Sequence, residues 1–167
     1  MINQTIKDIA RSYLGQREVP GNMGFKDKVF EKKMEAVGFV KSYAWCALFA
    51  ELVWTEAYKG SGLVNVLKKL FSASATTTYK NFDIDGTFKV SQTPQIGAVV
   101  IWRHGSGWQG HAGIVVSIDG DNIGTVEGNT NAAGGREGIE VAAKVRKWKD
   151  APYQANGLNL VGFIIPA

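Results

Sequence analysis

The chain reads as an α+β protein, with helices in the first half and an antiparallel sheet in the second. Two observations predict this. Through about residue 71 the apolar residues recur at helical spacing, beginning with Ile2, Ile6, Ile9, Ala10, Tyr13 and Leu14. After Pro94 the pattern changes to short, β-branched stretches bounded by glycine or turn residues: "GAVVIW" (97–102), "HAGIVVSI" (111–118), "NIGTVEG" (122–128), "GIEVAAKVRKW" (138–148) and "LVGFIIP" (160–166). A third observation bounds the architecture: there is no internal repeat and no linker, so residues 1–167 are expected to form one domain.

The first helix has Asn3 or Thr5 available as a cap, and "GQREVPGNMG" (15–24) ends it with three glycines and a proline. A second helix is expected over about 25–37, with Phe25, Val29, Phe30, Met34 and Val37 on one side and Gly38 at its end. Ser42 is an N-cap candidate for a third, whose apolar face is Trp45, Leu48, Phe49, Leu52, Val53 and Ala57. A shorter helix around 62–71 follows, and the polar "SASATTTYKN" has room for one more helical turn. Among the strands, "DGDN" at 119–122 marks a hairpin between the second and third.

Composition narrows the function classes. With 45% hydrophobic and 20% charged residues, a length of 167 is enough for one real core. A single cysteine rules out an intrachain disulfide, and two histidines argue against a zinc site, so no metal and no cofactor is expected. No run approaches a membrane span, and "MINQTIKDIARSYLG" lacks the basic-then-apolar order of a signal peptide. Cytoplasmic synthesis and no stable membrane association are therefore expected. The net charge of +4 is compatible with an anionic polymer, but no nucleic-acid motif is present. "KVRKWK" (144–149) and "EKKMEA" (31–36) read as solvated charged faces.

Chemistry concentrates on the lone Cys46, within "SYAWCALFAELVW" (42–54). A helix beginning near Ser42 puts this thiol in the first turn, where unpaired N–H groups and the helix dipole favour the thiolate. A buried structural cysteine has no use for that position; a nucleophile does. Of the two histidines, His104 in "RHGSGWQG" reads as a surface residue, whereas His111 opens a strand and is the candidate base. A third group must orient the imidazole. A hairpin pivoting near 119–121 pairs position i with about 240 minus i, which sets His111 opposite residue 129. Glu127 and Asn129 share a strand face, and either can reach the ring.

Taken in order, "WCALFAELVW", "PQIGAVVIWRHGSGWQGHAGIVV" and "TVEGNTNAAGGREG" followed by "KVRKW" resemble the CHAP family, the cysteine- and histidine-dependent amidohydrolases/peptidases of the NlpC-type papain-like superfamily. The resemblance covers roughly residues 10–165. It implies a papain-like fold with N-terminal helices on a C-terminal antiparallel sheet. It also puts Cys46 on the family nucleophile, His111 on the base, Glu127 on the orienting residue and Asn129 on the polar residue beside it. Some phage members carry an aspartate-rich calcium loop and a glutamine just before the cysteine. Here the stretch is "VKSYAW", with neither, so no calcium site is expected. The backbone N–H of Cys46 is the oxyanion-hole candidate, with Tyr43 as a side-chain alternative. Trp108, in the glycine-rich connection, is expected to line a sugar or peptide subsite. Tyr43 and Trp45 flank the thiol as further substrate-binding candidates, although the tryptophan spacings mostly read as core. "NAAGGREG" (131–138) lacks the ending of a phosphate loop and reads as a mobile rim loop beside the cleft.

The implied activity is cleavage of a peptidoglycan amide, either the N-acetylmuramoyl-L-alanine bond or one in the stem peptide or cross-bridge. A monomer is expected, acting on the wall after release as a phage endolysin or after delivery as a secreted effector. An effector would imply a cognate immunity protein. Two other classes stand beside this: a non-catalytic wall-binding module, and a papain-like amidase of another substrate such as a deamidase or acyltransferase.

Overall fold

The computed structural model describes residues 1–130 and 138–167. Five helices come first, α1 (Ile2–Ser12), α2 (Lys28–Ala36), α3 (Cys46–Ala57), α4 (Val64–Leu70) and α5 (Ala75–Asp85). Six strands follow, β1 (Val90–Ser91), β2 (Val99–His104), β3 (Gly110–Asp119), β4 (Asn122–Thr130), β5 (Glu140–Lys147) and β6 (Leu158–Ile164). They form one antiparallel sheet in the order β1-β6-β2-β3-β4-β5. This is the α+β arrangement expected from the change in periodicity.

Local chemistry explains where helices start, and corrects three expectations. Neither Asn3 nor Thr5 caps α1, which begins at Ile2 with both inside it. Asp27 caps α2, its carboxylate accepting from the N–H groups of Val29 and Phe30. Ser42 does not cap α3. Its N–H bonds the Asn22 carbonyl and that of Tyr43 bonds Val40, which ties residues 40–43 into a turn with Ser42 at φ +76°. The helix starts at Cys46 itself, after Trp45. The polar segment after α4 is three turns of helix rather than one, capped by Ser74 through the Thr77 N–H.

Helix α3 is the spine, buried along every residue from Cys46 to Trp54, and it packs on both β3 and β4. Strand alternation divides the sheet. Val99, Ile101, Ala112, Ile114 and Val126 join the helices in the main core. Val100, Trp102, Val115, Ile123 and Phe163 form a second cluster with Trp148 and Leu160. An added backbone segment lies on the outer edge of β5, where Arg17 bridges Glu140 and the amides of Gly15 and Val141 bond Val141 and Gln16 respectively.

One feature of the sheet brings β4 against the start of α3. The β3–β4 ladder runs from Asp119↔Asn122 to Ile114↔Val126, with a bulge between Val115 and Ser117. Past that pair, β4 meets α3 instead. A Cβ on Gly128 would lie 2.7 Å from both Phe49 Cβ and Trp45 Cζ3, so only glycine lets the strand approach the start of this helix so closely.

Candidate active site

Cys46 is the first residue of α3 and is buried. Backbone N–H groups of Ala47 and Ala112 donate to its sulfur, so the thiol sits between a helix start and strand β3. It is also hydrogen-bonded to His111. His111 pairs with Trp102 in the β2–β3 ladder, and the two rings stack with centroids 5.8 Å apart and planes 22° from parallel. Its Nε2 lies 2.7 Å from Glu127 Oε2, which leaves Nδ1 as the nitrogen for Cys46. Both ring nitrogens thus have partners, and the imidazole has one orientation.

Glu127 has no solvent exposure. Its Oε1 accepts from the Thr125 hydroxyl at 2.6 Å and from Arg146 Nε at 2.8 Å; its Oε2 accepts from Arg146 at 2.6 Å as well as from His111. The carboxylate lies over Gly113, where a Cβ would come 2.8 Å from Glu127 Cγ. Extending the 240 sum of Ile114↔Val126 makes Gly113 the residue facing Glu127.

Electrostatics follow from these contacts. Burial opposes charge on Glu127, but Arg146 and His111 outweigh it and hold the carboxyl down at about 2. Burial also disfavours an imidazolium at His111. Hydrogen bonds and charge from Cys46, and then from Glu127, reverse that and lift the ring to about 9. For Cys46, burial pushes the thiol up, while His111 and the amides of Ala112 and Ala47 bring it below its ordinary value. The set favours a thiolate–imidazolium pair backed by a fixed carboxylate.

A cleft of about 670 Å³ opens on this set. Cys46, His111, Trp108 and Asn129 line it, together with His104 and Lys144. Trp108 is 78% exposed at the rim. Asn129, at φ +51°, lines the cleft, while the His111 Nε2–H donates to Glu127. Trp45 is a correction. It is fully buried, its indole N–H donates to Glu18, and it packs against Phe25, so it belongs to the core and has no surface to offer a substrate. Tyr43 is half-exposed on the turn before α3, and the cleft wall there is Ala44. His104 is exposed as expected, but on the cleft wall. The expected rim loop falls on residues 131–137, outside the described residues; Gly138 lines the cleft.

In the sequence Arg146 is one residue of the charged run "KVRKWK" (144–149). Its one sequence signal is alternation: on β5 it pairs with Ile123, on the face that Thr125 and Glu127 share.

Residues 38–129, more than half of the 167, match the family model of the CHAP domain. No curated protein and no solved structure matches the chain. CHAP domains are in general hydrolase domains of amidase type. The match spans the turn before Cys46 through Asn129 and so takes in the thiol, the imidazole and the carboxylate, and the chain belongs to the CHAP family.

Proposed function

We propose that the protein is a peptidoglycan hydrolase that cuts an amide of the stem peptide or cross-bridge by cysteine nucleophilic catalysis. The observation that carries this reading is the hydrogen-bonded series Cys46–His111–Glu127 opening on a cleft. His111 takes the Sγ proton, and the thiolate attacks the amide carbonyl carbon. The oxyanion would be held by the backbone N–H of Cys46 at the start of α3. His111 then gives its proton to the amine nitrogen as the C–N bond breaks, leaving a thioester. Water, deprotonated by His111, attacks the thioester; the product acid leaves and the thiol is restored. His104 and Lys144 line the cleft, and among the described residues no carboxylate side chain does, which suits a peptide carrying carboxylates. Exposed Trp108 offers a flat apolar face to a peptide or sugar at the rim. Access to the wall would come by phage-mediated release or by a secretion machine.

The test is mass spectrometry of muropeptides after digestion of purified sacculi. A new free amine and carboxyl at one amide supports the reading and names the bond; intact muropeptides overturn it. Activity should persist in chelator and disappear with iodoacetamide, because the mechanism needs a thiolate and no Lewis acid. Loss in chelator with recovery on adding calcium would contradict it.

Glu127→Gln should lower kcat by about tenfold or more while leaving KM near wild type, since the amide cannot stabilise the imidazolium. A stability cost should accompany this, because the substitution leaves Arg146, 27% exposed, without its anion. Steady-state kinetics and a thermal melt on one preparation check both parts.

A further inference from the structure

Arg146 makes no contact with Cys46 or His111 in the relay above, yet it makes the two short contacts that fix Glu127, and it lines the cleft beside them. Its guanidinium carbon also lies 5.0 Å from the centroid of the Trp102 ring, the same ring that stacks on His111. One indole therefore neighbours both the arginine and the imidazole, and one carboxylate bonds to both. We propose that Arg146 is a positioning residue for catalysis: through its two-point grip on Glu127 and its seat on Trp102, it fixes the carboxylate whose Oε2 holds His111 towards Cys46. This rests on the thiol–imidazole chemistry of the preceding reading.

The grip has a definite consequence for pH. The titratable and charged groups that line the cleft beside the carboxylate are Cys46 from α3, His104 from β2, His111 from β3, and Lys144 and Arg146 from β5. Glu140 stands opposite Thr130, in a bridge with Arg17. Of these, only Arg146 and His111 bond Glu127 directly. Removing Arg146 has two opposed effects on the imidazolium. It deletes a nearby like charge, and it deletes the partner that keeps a fully buried carboxylate charged. The second acts through direct contacts under 3 Å and the first across the intervening carboxylate, so the second dominates. With the arginine present, Glu127 is ionised throughout the working range, and Cys46 alone sets the acid limb of reactivity. Without it, burial raises Glu127 into that range, and protonation of Glu127 withdraws the support of the imidazolium and thus of the thiolate.

The experiment follows alkylation of Cys46 by iodoacetamide against pH, by mass spectrometry, which needs no substrate. Arg146→Gln should move the acid limb up by about one pH unit or more. Arg146→Lys should move it less, because an ammonium keeps the charge but has neither the fork nor the flat face. In an E127Q background, R146Q should add no further upward shift, because the arginine supports the imidazolium through that carboxylate and only its like charge is left to lose. On sacculi, R146Q should lower kcat on the order of tenfold to a hundredfold with KM little changed. A folded R146Q with the wild-type alkylation profile overturns the proposal. If R146Q alone fails to fold, R146K and the E127Q/R146Q double variant decide. A wild-type profile in R146K, or an upward shift in the double variant beyond that of E127Q, overturns it equally. The shifts expected here, in a protein that leaves sacculi intact, would sink the peptidoglycan reading while sustaining this one.

Discussion

Cys46→Ala should leave a folded protein with no measurable hydrolysis of sacculi, a loss on the order of a millionfold in kcat, as for removal of the nucleophile from a catalytic triad. The fold should survive because the position is buried but opens on the cleft. Water can enter where the sulfur was and accept from the Ala47 and Ala112 amides. A stability change of about 1 kcal/mol, or roughly 2–4 °C in Tm, is the expected scale. Clearing of sacculi by turbidity, with circular dichroism and a melt on the same sample, checks it. Substantial lysis by a folded Cys46→Ala protein would end the thiol mechanism.

His111→Ala should fall almost as far, since a base and the nucleophile it activates fail as a unit. Its Cys46 should also alkylate more slowly near neutral pH, because without the imidazolium the buried thiol returns towards, or above, its ordinary value. Glu127 keeps Arg146 as a partner in this variant, so folding should hold. His104→Ala is the paired control. That ring lies on the same cleft wall but is not in the relay, so the change should appear in KM and leave kcat close to wild type. If His104→Ala loses kcat and His111→Ala does not, the relay is misassigned.

The chain's local signals were readable to different depths. The hairpin sum of 240 holds at Val115↔Thr125 and Ile114↔Val126, because "DGDN" closes the turn and alternation then fixes the faces. Nearer the turn the sum is 241, as in Ile118↔Ile123, and the bulge between Val115 and Ser117 absorbs the difference. The carboxylate was thus locatable on a face, but whether Glu127 or Asn129 meets the ring depends on Gly113, which makes room for Glu127, and on Arg146, which pulls it there. Arg146 itself was out of reach. Its register against β4 is set across the 131–139 connection, and no local turn rule counts through such a length. Ser42 misled because a serine before an apolar run looks the same whether it caps a helix or closes a turn against Asn22. Trp45 misled in the opposite way: adjacency to Cys46 in sequence suggests the cleft, but Trp45 precedes the helix at φ −124°, and its indole points at Phe25 and Glu18.

The place of β6 has a bearing on when the cleft is completed during the chain's own synthesis. Strand β6, made after the other five, does not sit at the sheet's margin but between β1 and β2, pairing with β2 from Val99↔Ile164 to His104↔Leu158. Strand β2 carries Trp102, against which both His111 and Arg146 rest. Until residues 158–164 have emerged, β2 therefore has an open edge, and the ring that steadies the relay lacks Leu160 and Phe163 beside it. The helices can fold early from near neighbours, but the chemistry must wait for a contact about sixty residues long in sequence. A nascent chain arrested before Leu158 should then hold its cysteine and histidine without a completed relay, so the site would be finished only once this strand has emerged and paired.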